Sequence, residues 1–354
     1  MHDRLRRATV VAQMSDESLV VHPQWRGWVA DNLVRGAKAG DLVTQLTDEG
    51  LSEADATALV GSVAAETCGV LAQQWYRRAQ ALEQIVRLRA EHRNPTTDGT
   101  AEITRGPLPD PDTFLRQHWI GGVPAVFTDV VPRWPGYGRW CPEDFAARFG
   151  DVEIEASVGR DGLTRPDADW TRVRSRLSLR AFVERITSGA GNDSYVIAKN
   201  DALRNPSLAP LLSEVALPPD FFTDTLVPER MALWLGGAGT HTPLHHDTDN
   251  SMFCQVHGRK RFRLAPPESI ALLLRSDGLY CDWDPRSDAE LHDDPPTHLT
   301  ELELAAGEAL FIPAGWWHQV DALDVSISVS ILHWAWPNDF GWYKPGTALA
   351  GRRV

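Results

Sequence analysis

The chain is poor in cysteine, and the few that it has form no recognisable framework. Its 354 residues include 4 cysteines, namely Cys68, Cys141, Cys254 and Cys281, and no two of them form a Cys-x-x-Cys pair. Disulfide-stapled domains and zinc modules need cysteines that are more numerous or closer together. The spacing therefore argues against both classes and predicts reduced thiols in a cytoplasmic protein.

Long apolar runs and an excess of basic charge are also missing. No stretch approaches the roughly 18 uninterrupted apolar residues that a membrane-spanning helix needs. The first residues, MHDRLRRATVVAQMSDES, lack the sustained apolar segment of a secretory signal. The formal net charge is −13, whereas a broad surface for phosphate groups needs positive charge. The sequence thus argues against a membrane protein and against a nucleic-acid partner.

Helical spacing of apolar residues dominates the first quarter of the chain. Residues 18–95 place tryptophan, leucine and valine at helical intervals, which predicts a helical accessory domain after an N-terminal tail at 1–17. The sequence SEAD, beginning at Ser52, resembles a capping box and predicts a helix over residues 54–66. Amphipathic helices usually just bury their apolar face, so we favour packing, on this chain or on a second subunit, over substrate recognition.

Short alternating or apolar runs follow a linker at 96–106 that is rich in glycine and threonine. Between residues 107 and 338 these runs include VPAVF, MALWLGG, RFRLAPP and VSISVSIL, which predicts a mainly β domain built as a sandwich or barrel. Residues 339–354 are expected to form a C-terminal tail. Residues 275–298 form an acidic insertion, which either favours a basic peptide near the site or is a solvated surface loop.

A histidine and an aspartate two residues apart indicate a metal site. On an extended segment His245 and Asp247 lie on the same face, and an imidazole beside a carboxylate supplies two ligands of the facial triad that binds non-haem Fe(II). The third ligand of that triad is a histidine, and His318 ends the strand-and-turn sequence EALFIPAGWWH. The sequence therefore predicts an iron site formed by these three residues, with positions left open for a cosubstrate and O2.

A lysine interrupts the apolar face of a later strand. In RKRFRL the three arginines share one face, and Lys260 lies on the other face with Phe262 and Leu264. A buried ammonium group needs an anion, and beside iron the fitting anion is the far carboxylate of 2-oxoglutarate. Thr242 precedes His245 by three residues and supplies a hydroxyl donor for the same carboxylate. The alternative is a lysine whose ammonium group reaches solvent near a strand end.

The segments TPLHHD, NSMFCQVHGRKRF and GEALFIPAGWWHQV together resemble the JmjC or cupin-like family of Fe(II)/2-oxoglutarate oxygenases. The resemblance covers roughly residues 107–336 and is strongest to the hydroxylase branch that includes the asparaginyl hydroxylase of hypoxia-inducible factor. It implies a double-stranded β-helix, a jelly-roll or cupin barrel with iron at its mouth. It also implies cosubstrate contacts from Tyr195, Asn250 and Ser330, although the asparaginyl hydroxylase has an asparagine where this chain has Ser330.

The same resemblance implies an enzyme that uses Fe(II), 2-oxoglutarate and O2, hydroxylates a C–H bond and releases succinate and CO2. The expected substrate is a protein or peptide side chain, and a demethylase is less expected because the chain has no zinc module or reader domain. Three alternatives stay open: a hydroxylase of a free or carrier-bound amino acid, a tRNA-modifying hydroxylase and a non-catalytic cupin-like binding protein. The family's C-terminal helical extension is missing, so any homodimer is expected to use the N-terminal helices.

Overall fold

The computed structural model describes residues 23–34, 37–93, 103–189, 191–223, 225–287 and 299–340. The chain divides into two compact units, Met1–Ile85 and Val86–Val354. The tail expected at 1–17 and most of the tail expected at 339–354 lie outside the described residues. The domain boundaries drawn from the sequence remain predictions.

Helices form the described part of the first unit and continue past its boundary. They are α1 (Pro23–Val34), α2 (Ala39–Asp48), α3 (Glu53–Ala65) and α4 (Thr67–Arg93). The first three bury a shared apolar cluster that includes Val29, Leu46 and Leu59. Ser52 precedes α3, and its hydroxyl accepts a hydrogen bond from the Asp55 backbone N–H, as an N-cap does. The predicted start of this helix is confirmed.

Strands dominate the second unit, and short helices connect them. The strands are β1 (Thr104–Gly106), β2 (Ala125–Phe127), β3 (Glu153–Val158), β4 (Arg174–Ser178), β5 (Ser194–Val196), β6 (Met231–Gly236), β7 (His241–His246), β8 (Ser251–His257), β9 (Lys260–Ala265), β10 (Ser276–Asp277), β11 (Tyr280–Cys281), β12 (Thr300–Leu304), β13 (Ala309–Ile312), β14 (Trp317–Ala322) and β15 (Ser326–Ile331). The α-helices are α5 (Pro111–Phe114), which continues as a π-helix over Leu115–Ile120, α6 (Pro142–Phe149), α7 (Leu179–Thr187) and α8 (Ile270–Leu274). Short 3-10 turns lie at Val131–Arg133, Arg160–Gly162, Trp170–Arg172, Ala198–Asn200, Ala202–Arg204, Pro206–Glu214 and Pro228–Arg230.

The strands form two sheets. The larger has the order β1-β2-β13-β8-β15-β6-β5-β3-β4, and the smaller has the order β10-β11-β7-β14-β9-β12. Phe253 of β8, Phe262 of β9 and Leu310 of β13 belong to one buried cluster that draws on both sheets. The prediction of a double-stranded β-helix, or jelly-roll barrel, with an N-terminal helical region is confirmed.

Two stretches differ from what the sequence suggested. Residues Thr104–Gly106, the end of the expected linker, form strand β1 and pair in parallel with β2, so they belong to the large sheet. The acidic insertion begins as a hairpin of β10 and β11, and β11 pairs with β7 through Tyr280 and His245. Strands of two or three residues are too short to show a period, which is why both were missed. The later part of the insertion, 288–298, lies outside the described residues.

Strand β9 has the alternating pattern from which an inward-facing lysine was predicted. Lys260, Phe262 and Leu264 are buried there, whereas Arg261 and Arg263 are partly exposed. The two arginines form ion pairs with glutamates on the neighbouring strand β12, so their charges are balanced on the outer face of the small sheet. None of the helices in the described part of the chain has the length and hydrophobicity needed to span a bilayer.

Aromatic side chains cover the outer face of the large sheet, and Phe114 lies at their centre. Its ring is 5.0 Å from Phe311, 5.4 Å from Phe221 and 5.4 Å from Trp334, measured between centroids. Phe114 is fully buried. The cluster continues into α6 and α7 through residues such as Phe145.

We expect Phe114→Ala to lower the free energy of unfolding by about 3–5 kcal/mol, because it leaves a cavity among rigid rings. Urea unfolding of the full chain measures this change. The matched control is Ile120→Ala at the end of the same helical segment, where the side chain is 73% exposed and the expected change is within about 0.5 kcal/mol. Equal effects of the two substitutions would contradict the assignment of Phe114 to the core.

Candidate metal centre

Strand pairing brings the three predicted metal ligands together. His245 near the end of β7 and His318 in β14 are direct partners in an antiparallel pair, and their rings are 4.1 Å apart between centroids. Asp247 follows β7, with one oxygen 4.0 Å from His245 Nε2 and the other 3.7 Å from His318 Nε2. One ligand atom from each residue lies within 4.8 Å of the others, which is the separation expected around one ion.

Backbone carbonyls orient both imidazoles. The Nδ1–H of His245 donates to the Pro243 carbonyl (2.8 Å), and that of His318 donates to the Trp316 carbonyl (2.9 Å). Each Nε2 is therefore left with its lone pair, as a metal ligand requires. Burial, followed by the charge of the neighbouring His245, lowers the pKa of His318 and keeps it neutral near pH 7. Two imidazoles and a carboxylate fit the ligand set of non-haem Fe(II).

The ligands line a cavity of about 310 Å³. Three of the residues predicted to contact the cosubstrate, Tyr195, Thr242 and Ser330, line the same cavity. The side chain of Asp247 is 48% exposed, so the metal edge of this cavity opens to solvent. The two histidines are much more buried, because they lie within paired strands.

Lys260 lies behind the cavity wall and is fully buried. Its ammonium group donates to the Tyr195 hydroxyl (2.9 Å) and faces the rings of Phe253 at 5.0 Å and Trp234 at 5.9 Å. Among the described residues, no carboxylate pairs with it. Burial lowers the pKa of Lys260 to about 7. A buried cation without a counterion is costly, so this end of the cavity is suited to an anion.

Tyr195 and Thr242 meet the lysine on the same wall. The Tyr195 side chain is hydrogen-bonded to Thr242, and burial, with the nearby charge of Asp167, raises the pKa of the phenol. The phenol therefore stays protonated near neutral pH. An ammonium group and hydroxyl groups at one point make a donor set for a carboxylate. The inward position predicted for Lys260 is confirmed, and its role toward a cosubstrate stays a prediction.

Two of the residues predicted to contact the cosubstrate, Ser330 and Asn250, have hydrogen-bond partners within the protein. Ser330 lines the cavity, but its hydroxyl accepts a hydrogen bond from the Trp234 indole (2.7 Å). Asn250 does not line the cavity. Its amide oxygen accepts from the Ala314 N–H (2.9 Å) and its carbonyl accepts from the Trp334 indole (2.9 Å). The Asn250 side chain thus fixes the turn before His318, and the cosubstrate contact predicted for it stays a prediction.

Two further cavity residues were missed in the sequence. Tyr280 of β11 stacks on His245 at 5.6 Å with an interplanar angle of 24°, and burial raises its pKa. The Asp-Gly sequence at 277–278 is a hairpin signal by which it could have been found, and the turn itself is Gly278-Leu279 between β10 and β11. Asp167 also lines the cavity, but it lies in an irregular loop, and nothing around it in the sequence indicates that position.

The acidic insertion carries less free charge than its composition suggests. Asp277 and Asp282 both pair with Arg165, at 3.1 and 3.5 Å, and Asp284 pairs with Arg286 at 2.8 Å. The described half of the insertion is therefore largely charge-balanced. This half does not support the expectation that the insertion attracts a basic peptide.

Comparison with known proteins agrees with this geometry. Residues 111–339 match the family model of a cupin-like domain. The chain is 29% identical to the "Lysine-specific demethylase JMJ30" of Arabidopsis thaliana over 64% of this chain and 52% of that protein. It is 27% identical to the "Jumonji C domain-containing protein 5" of Drosophila melanogaster, over 65% of this chain and 59% of that protein.

A shorter relative is covered more fully. The chain is 23% identical to the human "Bifunctional peptidase and (3S)-lysyl hydroxylase JMJD7", over 63% of this chain and 80% of that protein. The chain nevertheless spans only 52% and 59% of the first two relatives. Because the cupin-like match takes in most of the second unit, including all three candidate ligands, the chain belongs to the cupin-like JmjC family of oxygenases.

Proposed function

We propose that this protein is an Fe(II)- and 2-oxoglutarate-dependent oxygenase that hydroxylates a side chain of a protein or peptide. The observation that carries the proposal is the His245, Asp247 and His318 cluster in one cavity with the wall that buries Lys260. Family membership supports the dioxygenase class. The printed names of two relatives, a lysine-specific demethylase and a lysyl hydroxylase, support a protein substrate.

Each part of the cavity has a role in this proposal. The three ligands would hold iron, which with 2-oxoglutarate and O2 supplies the oxidation that turns a C–H bond into C–OH and yields succinate and CO2. Lys260 would balance the charge of the far carboxylate, while the Tyr195 hydroxyl donates a hydrogen bond to it. The aromatic walls formed by Trp234 and Phe253 exclude water around this charged pair, which strengthens the attraction.

The size of the cavity favours a side chain over a separate small molecule. Pockets for small ligands have volumes of about 300–1,000 Å³, and this one has about 310 Å³. After 2-oxoglutarate is seated, little room remains for a second whole molecule. The exposed edge at Asp247 would instead admit a side chain from a polypeptide that stays outside. The small volume and the exposed edge therefore favour hydroxylation of a protein over that of a free or carrier-bound amino acid.

The proposal is tested by turnover under Fe(II), 2-oxoglutarate and air with a panel of peptides. We expect succinate formation together with a peptide mass gain of one oxygen atom. His245→Ala should abolish succinate formation and weaken Mn(II) binding, because only two ligands remain. The control is His257→Ala at the end of β8, which removes an imidazole outside the metal cluster and should leave turnover unchanged. Normal succinate formation by His245→Ala would end the iron assignment.

Lys260→Met tests the anion site through stability as well as binding. The folded state lowers the pKa of Lys260 from 10.5 to about 7, so below pH 7 folding buries a charged group that the unfolded chain keeps in water. Wild-type stability should therefore rise between pH 7 and 10.5, where only the unfolded state holds the proton. An apolar side chain of similar length removes this cost and should stabilise the protein at pH 6 by on the order of a few kcal/mol.

The same substitution should abolish binding of 2-oxoglutarate to the Mn(II)-loaded protein, measured by calorimetry. Urea unfolding at pH 6 and pH 9 checks the stability change, which should be smaller at pH 9. Lys260→Arg keeps the charge and should lack the stabilisation. Loss of stability in Lys260→Met at pH 6, or unchanged binding, would contradict the role of this lysine.

A further inference from the structure

Arg160 is a fully buried arginine to which the proposed function assigns no role. Two of its nitrogens donate to the two oxygens of Asp167, at 3.0 and 3.2 Å. One of these nitrogens also donates to the His241 carbonyl (2.8 Å), and the guanidinium plane lies 5.2 Å from the centre of the Tyr195 ring. The Nε–H points to the Asn192 amide oxygen at 3.4 Å. One side chain therefore contacts four residues, which lie in three segments of the chain.

The contacted groups belong to different parts of the site. Asp167 lines the cavity, and Tyr195 is the hydrogen-bond partner of Lys260. His241 is the first residue of β7, the strand that carries Thr242 and a metal ligand. The Asn192 amide oxygen also accepts from the His241 N–H (2.9 Å), so both backbone groups of this residue are held by the same pair of side chains.

Stability alone does not account for this arrangement. Replacing a buried ion pair by apolar side chains of similar volume is often neutral or stabilising, so a jelly-roll core does not need one here. What an apolar pair lacks is the planar fork of arginine, which fixes several acceptors in one geometry. The contacts of Arg160 are of this kind. Its guanidinium group binds both oxygens of Asp167, donates to the His241 carbonyl and lies over the Tyr195 ring at the same time.

We propose that Arg160 is a positioning residue that holds Tyr195 and the start of β7 in fixed relation to Asp167, so that the donors for the cosubstrate carboxylate are aligned before it binds. The inference rests on the proposed function. It adds that affinity for 2-oxoglutarate depends on a residue that does not touch it. Neither the motif residues nor the family resemblance assigned a role to Arg160.

Arg160→Lys is the sharpest test, because lysine keeps the charge and loses the fork and the flat face. We expect the Kd of 2-oxoglutarate for the Mn(II)-loaded protein to rise about tenfold, the lower end of the range for residues that orient a ligand-binding group through hydrogen bonds. The Kd of Mn(II) itself should change less than about twofold, because His245, Asp247 and His318 keep their own partners. Calorimetry measures both constants.

Arg148→Lys is the matched control. Arg148 is a partly buried arginine on α6 that pairs with Glu214 and Asp144, and none of these residues lines the metal cavity. This substitution should lower stability and leave the Kd of 2-oxoglutarate unchanged. If Arg160→Lys also lowers stability without changing that Kd, Arg160 is only a structural residue and the proposal is overturned.

A double-substitution cycle separates positioning from a general loosening of the fold. Tyr195→Phe removes the hydroxyl that meets Lys260, and its effect on the Kd should be smaller in the Arg160→Lys background than in the wild type, because both changes act on one group. Additive effects would overturn the proposal. If Arg160→Lys does not fold, Asp167→Asn asks the same question, since it removes one charged acceptor of the fork at constant volume.

The wild-type measurement keeps the two levels of inference apart. If Mn(II)-loaded wild type does not bind 2-oxoglutarate at all, the proposed function fails first. If the wild type binds it and Arg160→Lys and Asp167→Asn bind it equally well, the proposed function stands and only the positioning role of Arg160 is overturned.

Discussion

The pairing of β7 with β14 is the constraint on which the site depends. His245 and His318 face each other only in the observed register, and a slip of either strand by one residue would turn that strand's imidazole to the other side of the sheet. The turn just before β14 helps to fix that register, because the Gly315 N–H donates to the Asp247 carbonyl (2.8 Å). On the outer face, His241 and Asp321 are paired in register and joined by a hydrogen bond of 2.8 Å. A register irregularity lies between His318 and Val320, next to a ligand, where bulges commonly aim a side chain.

This register places polar groups inside a barrel that would be more stable without them. Lys260, Thr242 and Arg160 are all buried, and each loses hydration on folding. The aromatic cluster around Phe114 offsets part of that cost, and the apolar cluster between the sheets adds to this stabilisation while supplying Phe253 and Phe262 to the cavity wall. The same strands thus carry both the apolar packing and the polar groups of the site. Residues that lower stability inside the cavity are therefore the ones to associate with function.

The metal ligands and Lys260 could be predicted from local patterns, because each stands out from the residues within a few positions of it. A charged residue on the apolar face of a strand, and a histidine two residues from an aspartate, are visible without knowing the fold. Arg160 and Asp167 lie about 80 positions before His245 and meet β7 only in the folded chain, so no local signal marks them. Asn250 shows what such patterns leave out, since nothing near it in the sequence indicates that its amide oxygen accepts from the Ala314 N–H.

Charge pairing near Tyr280 changes what the site is expected to select. Arg165 binds Asp277 and Asp282, and Arg165 lies in the loop that also carries Asp167. The hairpin with Tyr280 and the loop with Asp167 are therefore joined by ion pairs, and both contribute to the cavity. Because these described carboxylates already have arginine partners, their net field at the cavity is small, and exposed pairs of this kind are worth little energy. Under the proposed function, a substrate side chain that passes this wall would then be selected by its shape more than by the sign of its charge.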